Sequence, residues 1–328
     1  MLAARITRPG GPEVLEVVEV QQPKPGAGEV LVRVRASALN RADLLQRMGR
    51  YPAPPGAPAD IPGLEIAGEV AALGPGARDW KVGDRVFGIV GGGGNAEYAV
   101  TRGDHLAPVP TAMSWEDAAA VPEAFVTAHD ALVTQAAMRA GERVLVHAVG
   151  SGVGLAAVQL VRELGGVCYG TARTADKIER ARGFGLTDGV VVGDDLEVIA
   201  TSVTRWTNGA GVNVILDLVG GPYLPVNVEC CAASGRIILI GLMAGRSATL
   251  NLGSVLNRRV TIRGTVLRAR TDLEKAAVTA AFVRDVLPLL ESRAVRPIVE
   301  RVFQLAKIAE AHALLESNST FGKVVLTH

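Results

Sequence analysis

Between Val144 and Leu164 the chain reads VLVHAVGSGVGLAAVQLVREL: a short apolar run, a glycine-rich turn, then an apolar helix without charge until its last turn. That order suits a dinucleotide pyrophosphate. Glycines let the backbone approach the phosphates, and the start of the helix offers unpaired N–H groups and the positive end of its dipole. The spacing departs from G-x-G-x-x-G, because Leu155 follows Gly150, Gly152 and Gly154. It is better written A-x-x-S-x-x-G, with Ala148, Ser151 and Gly154 at the marked positions and Val153 beside them. A small residue suits the backbone at Ser151, and its hydroxyl can bond a phosphate.

An NAD site places Asp or Glu about 20 residues beyond such a turn, where it binds the ribose hydroxyls. Here that place holds Ala172-Arg173-Thr174, with Lys177 one helical turn on. No carboxylate repels a 2′-phosphate, and a hydroxyl and two cations can meet one, so NADPH is expected over NADH. The competing reading is a solvated helix start with ordinary surface charges.

The elements that must position these residues follow two patterns. Up to about residue 120 the chain is β-rich: Glu29–Ala36 alternates apolar and polar, and Gly63–Ala72 and Asp84–Val90 are similar. Turns at Gly74-Pro75-Gly76 and Gly83-Asp84 punctuate them, which predicts a barrel or sandwich with helices only at Asn40–Met48 and Trp115–Val121. Gly91–Gly94 reads as a hairpin connection, since Ala96–Val100 after it alternates like a strand and no helix dipole follows. From Pro122 strands and helices alternate: helix Ala124–Gln135, the run at Val144, strand Val167–Ala172, helix Asp176–Arg182, strand Val190–Val192 and helix Leu196–Thr204. Strand Val212–Leu218, helix Tyr223–Ala233 and strands Arg236–Gly241 and Val260–Thr265 continue the series, which predicts a doubly wound parallel sheet. A long helix, Asp272–Glu291, then strand Val299–Phe303, helix Leu305–Glu316 and strand Lys323–Leu326 follow, the last expected to return to the first domain. The expected division is therefore 1–121, 122–266 and 267–328, an α/β protein whose β-rich domain is discontinuous in sequence.

Composition narrows the classes. The 328 residues are 48% apolar, enough for two cores, and 34 basic residues balance 33 acidic ones, so neither a nucleic acid nor a membrane surface is an expected partner. Cys168, Cys230 and Cys231 form no CxxC pair and no disulfide framework, and the adjacent pair reads as buried small hydrophobes. The opening segment MLAARITRPGGPEVLEV lacks the sustained apolar region of a signal peptide, and no apolar run approaches membrane length. A cytoplasmic protein is expected.

This layout resembles the medium-chain dehydrogenase/reductase superfamily, which implies a GroES-like β-rich catalytic domain and a Rossmann domain. Alcohol dehydrogenases of that superfamily hold a catalytic zinc through Cys and His. The residues resembling those positions here are Asn40 and, in Pro62-Gly63-Leu64-Glu65, Leu64 beside Glu65. Asn and Leu cannot replace thiolate and imidazole, and all three cysteines lie in the cofactor half, so no metal is expected. The match is closer to the zinc-free quinone oxidoreductases, nearest to the p53-inducible quinone oxidoreductase subgroup. It is carried by the stretches Ala36–Tyr51, Gly91–Tyr98, Pro122–Ala128, His147–Gly154, Gly241–Met243 and Gly322–Leu326. It spans nearly the whole chain and implies an NADPH-dependent two-domain reductase, a homodimer or homotetramer, with its active site in the interdomain cleft.

The resemblance also implies roles. Tyr51 would face nicotinamide and substrate as a hydrogen-bond or proton donor; the competing reading is a loop tyrosine anchoring the stiff segment after it. Asn40 would bring its amide near the substrate carbonyl or nicotinamide, and it also suits the N-cap of the helix after it. The Thr127 hydroxyl would reach the nicotinamide side, unless it is an ordinary helix threonine. Gly241, Leu242 and Met243 would line the cofactor site, whereas His147 is expected to be structural. One position departs: where relatives carry Tyr or His beside the adenosine 2′-phosphate, this chain has Val192, leaving Arg173, Thr174 and Lys177 to do more. The implied reaction is metal-free hydride transfer from NADPH to a quinone or similar electron-poor conjugated carbonyl, with Tyr51 and Asn40 meeting the oxyanion. Two alternatives remain open at this point: an NADPH-dependent enal or enone reductase, and an NADPH-binding protein with a structural or RNA-associated role.

Overall fold

In the computed structural model, which describes residues 1–328, the alternation that begins at Glu29 runs on to Leu39 and makes this strand the spine of a seven-stranded sheet. Val30, Val32 and Val34 project into a core shared with Ile66, Val70, Val86, Val90, Ala99 and Leu106. On one side the spine pairs antiparallel with Glu65–Leu73, which pairs in turn with Arg85–Ile89 and that with Leu106–Pro108. Tyr98–Arg102 pairs with its first residues, and the closing strand Lys323–Thr327 with its last four. Lys323–Thr327 continues the sheet to Val299–Gln304. The last strand thus returns to the β-rich sheet, as its apolar pattern predicts.

Gly91–Gly94 is not a hairpin connection. The strands it joins, Arg85–Ile89 and Tyr98–Arg102, pair with different partners, Glu65–Leu73 and Glu29–Leu39. Alternation after the glycines predicts a strand but carries no information about which neighbour that strand finds. The loop instead packs against Gly63, whose φ of +107° excludes most side chains and whose Cβ, if present, would lie 2.3 Å from the Asn95 nitrogen.

The second sheet has six parallel strands in the order Leu186–Val191, Val167–Ala172, Arg143–Val146, Val212–Asp217, Cys231–Leu239, Thr261–Gly264. Strand order therefore reverses beside Arg143–Val146, the strand that leads into the glycine-rich turn, and ligands of such sheets bind outside that reversal. Val192 is buried in the core of this sheet with Leu145, Ile199, Val212, Ile215 and Ile237. Pairing with Val212–Asp217 draws Cys231 into a strand, so the preceding helix ends at Cys230 rather than at Ala233. The long helix expected over Asp272–Glu291 breaks at Val286 into Asp272–Asp285 and Leu287–Glu291, where Pro288 has no N–H to continue it. A short helix, Leu252–Arg258, carries no apolar period that predicts it: only Val255 packs against the core, while Leu252 and Leu256 are each 74% exposed. The chain forms two compact units, Met1–Val126 with Leu267–His328 and Thr127–Val266. No helix is long and apolar enough to cross a membrane.

One buried titratable group of the first unit bears on stability. His312, on helix Ile308–Glu316, is fully buried with neither ring nitrogen hydrogen-bonded, and burial followed by the Arg47 charge lowers its pKa to about 3. The folded state keeps this imidazole neutral while the unfolded chain protonates it near the ordinary value of about 6.5. Its contribution to stability therefore declines as pH falls below that value, down to the folded pKa. Between pH 7 and pH 5 the wild type is expected to lose about 2 kcal/mol more stability than His312→Met, checked by urea unfolding at both pH values.

Candidate active site

In the second unit the turn after Arg143–Val146 is shaped by close packing. Ala148 adopts a left-handed φ of +51°, and a Cβ on Gly154 would lie 2.4 Å from the Ala148 carbonyl oxygen. Ser151 caps the helix Gly152–Glu163: its hydroxyl accepts the Gly154 N–H at 3.0 Å. The Gly152 and Val153 N–H groups make no hydrogen bond in the chain and remain available to an anion. The Lys177 stem lies against Gly150, so this cation reaches the turn from the next βα connection. Arg173 and Thr174 are exposed at the start of helix Ala175–Arg182. Together these groups fit a dinucleotide phosphate on geometry and charge.

Around this turn a buried network ties strand ends together. His147 contacts the Thr171 hydroxyl at 2.9 Å and the Asn227 Oδ1 at 2.7 Å, and Asn227 donates to Asp217. Asp217 Oδ1 in turn accepts the Val219 and Gly220 N–H groups, and its carbonyl accepts that of Gly241. The loop carrying Gly241, Leu242 and Met243 is thereby fixed, with Leu242 49% and Met243 47% exposed. Thr127 is buried at the start of its helical segment.

In the first unit Asn40, Glu65 and Lys323 form a buried cluster. The Lys323 ammonium donates to the Leu39 carbonyl at 2.9 Å, to Asn40 Oδ1 at 2.6 Å and to Glu65 Oε1 at 2.6 Å. Asn40 Nδ2 donates to the same Glu65 oxygen at 2.8 Å, and Glu65 Oε2 accepts the Glu123 backbone N–H at 2.8 Å. Both ends of the Asn40 amide are thus engaged within the protein. The start of helix Arg41–Arg47 is served by Asp43, whose carboxylate accepts the Asn40 and Gly63 N–H groups. Burial pushes the Asp43 carboxyl up to about 6 against those two hydrogen bonds and the Lys323 charge.

Tyr51 stands beside a second anchor. The Arg268 guanidinium lies 5.0 Å over its ring and donates to the Tyr51 carbonyl, to the Gly91 carbonyl at 3.0 and 2.9 Å and to Gln46 Oε1 at 2.7 Å. One buried arginine therefore joins the tyrosine loop, the glycine loop and the helix after Asn40. Burial and then the Glu123 charge raise the Tyr51 pKa, opposed by Arg268. The Tyr51 hydroxyl has no hydrogen-bond partner in the protein. Glu123, on the wide π-type turn Pro122–Val126, is pushed up to about 8 by burial and then by the Glu65 charge.

Tyr51 and Asn40 are thus brought into one unit, while Ala148, Gly150–Gly154, Arg173, Thr174, Lys177 and Gly241–Met243 gather in the other. Sequence reading missed Arg268, Lys323, Asp43 and Glu123. Single charged residues far apart in sequence carry no local periodic signal; Asp43, Glu123 and Lys323 lie within stretches that carry the resemblance, and Arg268 lies in none of them.

Two family models match the chain: an alcohol dehydrogenase GroES-like domain over residues 26–111 and a zinc-binding dehydrogenase over residues 189–326. The chain is 35% identical to a quinone oxidoreductase of Pseudomonas aeruginosa over 97% of its own length and 96% of that protein's. It is 31% identical to a squalestatin tetraketide synthase of Cochliobolus lunatus over its whole length, but spans only 13% of that synthase. Among solved structures, the mycobacterial protein Rv1454c complexed with NADPH superposes with a TM-score of 0.88 at 30% identity, covering both chains completely. The JamJ enoyl reductase gives a TM-score of 0.88 at 25% identity, covering 99% of this chain and 98% of that one. The residues present do not fit a zinc ion: no three His, Cys, Asp or Glu side chains converge, and an ammonium fills the oxygen cluster at Asn40 and Glu65.

Proposed function

This chain belongs to the medium-chain dehydrogenase/reductase superfamily of oxidoreductases, and from that premise we propose that it reduces quinones or similar electron-poor conjugated carbonyls with NADPH. The observation that carries the reading is the Lys323 ammonium held by Leu39, Asn40 and Glu65. With its charge neutralised by Glu65 it cannot polarise a carbonyl as a Lewis acid would. Acceptors that are already strongly electrophilic suit such a site. When bound, the reduced nicotinamide supplies a hydride. The protein's part is to hold the cofactor and meet the developing oxyanion with the Tyr51 hydroxyl, whose ring and loop Arg268 keeps in place. Asn40, spent on Lys323 and Glu65, contributes through the shape and charge of that cluster. Gly152, Val153 and Ser151 would bind the pyrophosphate, Arg173, Thr174 and Lys177 the 2′-phosphate, and Thr127 and Gly241–Met243 the rest of the cofactor.

Turnover of a quinone and an enone with NADPH and with NADH tests the reading. A quinone is expected to have the higher kcat/KM. A much higher value on the enone would favour C=C reduction, the second reading, which the likeness to an enoyl reductase supports. Oxidation of NADPH by neither acceptor would overturn both. Replacing Arg173 and Lys177 together by Ala is expected to raise KM for NADPH about tenfold or more and to leave KM for NADH nearly unchanged. Equal effects would remove the phosphate assignment.

The reading includes self-association. Strand Thr261–Gly264 ends its sheet with one edge unpaired, and Leu252 and Leu256 stand exposed on the helix just before it. Introducing Glu at both leucines is expected to convert a dimer or larger oligomer to monomer in light scattering; an unchanged mass would exclude this face.

A further inference from the structure

We infer that Ser37 and His328 are positioning residues of the reaction: through Asn95 they fix the foot of the Gly91–Gly94 loop, against which the Tyr51 loop is seated. This role rests on the reductase reading above; the anchoring itself does not. Ser37 lies on Glu29–Leu39 opposite Leu326 on one side and Ile66 on the other, and it is fully buried, as is Asn95. Its hydroxyl donates to Asn95 Oδ1 at 2.9 Å and meets His328 Nε2 at 2.9 Å. With the Ser37 proton spent on Asn95, Nε2 must be the donor of the second bond. Burial lowers the His328 pKa to about 4, so the ring is neutral at pH 7 and its single proton stands on Nε2. The backbone brings the ring there: the His328 N–H donates to the Arg35 carbonyl at 3.2 Å. Asn95 Nδ2 is buried without a partner in the protein, so Ser37 is the only hold on that amide.

Asn95 is where the glycine loop is sewn to the segment that runs on from Tyr51. The Gly93, Gly94 and Asn95 N–H groups donate to the carbonyls of Ile61, Gly63 and Pro62 at 2.9, 3.1 and 3.0 Å. At the other end the Gly91 carbonyl accepts Arg268, whose guanidinium lies over the Tyr51 ring. Between the two ends the loop touches the tyrosine segment directly. A Cβ on Gly91 would lie 3.2 Å from the Ala57 Cβ, and one on Gly93 3.1 Å from the Pro58 ring. The loop is thus fastened twice, by Arg268 at Gly91 and by Ser37 and His328 at Asn95. Releasing the second fastening shifts the surface that seats Tyr51, and a displacement of about 1 Å at a reacting group can cost about 100-fold in rate.

Two measurements on Ser37→Ala, His328→Ala and His328→Gln test this. The glutamine keeps an N–H donor where the imidazole Nε2 stands, so it serves as the conservative variant. In ligand-free protein, amide hydrogen exchange at Gly93, Gly94 and Asn95 is expected to quicken about tenfold in both alanine variants and to stay near wild type in His328→Gln. In turnover of a quinone, kcat is expected to fall about tenfold in both alanine variants with the Kd for NADPH unchanged, and His328→Gln should recover most of it. Unchanged exchange at the three amides would overturn the anchoring, and so would faster exchange spread evenly over the unit, which would mark a general loss of stability. Faster local exchange with kcat unchanged would overturn the role in the reaction, as would a Kd for NADPH that rises in step with the loss of kcat. If the wild type reduced no acceptor, the reductase reading would fail and the role in the reaction with it, while the exchange pattern would still decide whether Ser37 and His328 hold the loop.

Discussion

Tyr51→Phe is expected to lower kcat about 100-fold while leaving the Kd for NADPH nearly unchanged, measured by single-turnover kinetics and by fluorescence titration of the cofactor. The substitution removes one oxygen and keeps the ring under the Arg268 guanidinium. Arg268 still has the Tyr51, Gly91 and Gln46 oxygens to bond, so the loop keeps its anchor. What disappears is the one hydroxyl in this unit that has both a raised pKa and no partner within the protein. With the oxyanion unprotonated, the barrier to reduction rises and cofactor binding does not. An unchanged kcat would remove Tyr51 from the mechanism.

The second large effect concerns stability. Lys323→Met is expected to cost about 3–5 kcal/mol in denaturant unfolding, because it leaves a carboxylate uncompensated in the core. Glu65 has no exposed side-chain surface and Lys323 only 6%, so water cannot take over for the missing ammonium. Glu65 would keep only the Asn40 amide and the Glu123 N–H. Combining Lys323→Met with Glu65→Gln should recover much of the loss, since a neutral amide tolerates burial better than a lone charge. Equal losses in the single and double variants would show that Lys323 acts by packing rather than by pairing.

Lys323 also shows where sequence reading stops. The Gly322–Leu326 motif marked the end of the chain as a strand, and its apolar residues assigned that strand to the β-rich domain. Neither feature could reveal that pairing with Glu29–Leu39 sets the ammonium beside Leu39 and Asn40. Asn40 occupies the N-cap position of helix Arg41–Arg47 that its place in the sequence predicts, yet its side-chain amide lies between a lysine 283 residues later and a glutamate 25 residues later, which no local reading reaches. The glycine-rich turn is the opposite case. Ala148, Ser151 and Gly154 are close in sequence, and their interactions span at most six residues, so spacing alone described them well. Lys177 was reached from the same reasoning, because the strand–turn–helix period brings successive βα connections to one end of the sheet.

What the sequence determined by itself is therefore what local physics determines: apolar period, turn chemistry and helix starts. From these follow the two patterns, the doubly wound sheet and the nucleotide turn, while the family rests on the resemblance of longer motif stretches. The tertiary structure alone decided strand partners, as at Gly91–Gly94, and the buried charge clusters around Arg268 and Lys323. Those depend on loop closures of tens to hundreds of residues. A buried charge is tolerated only where its partner arrives, and no short window of sequence contains both.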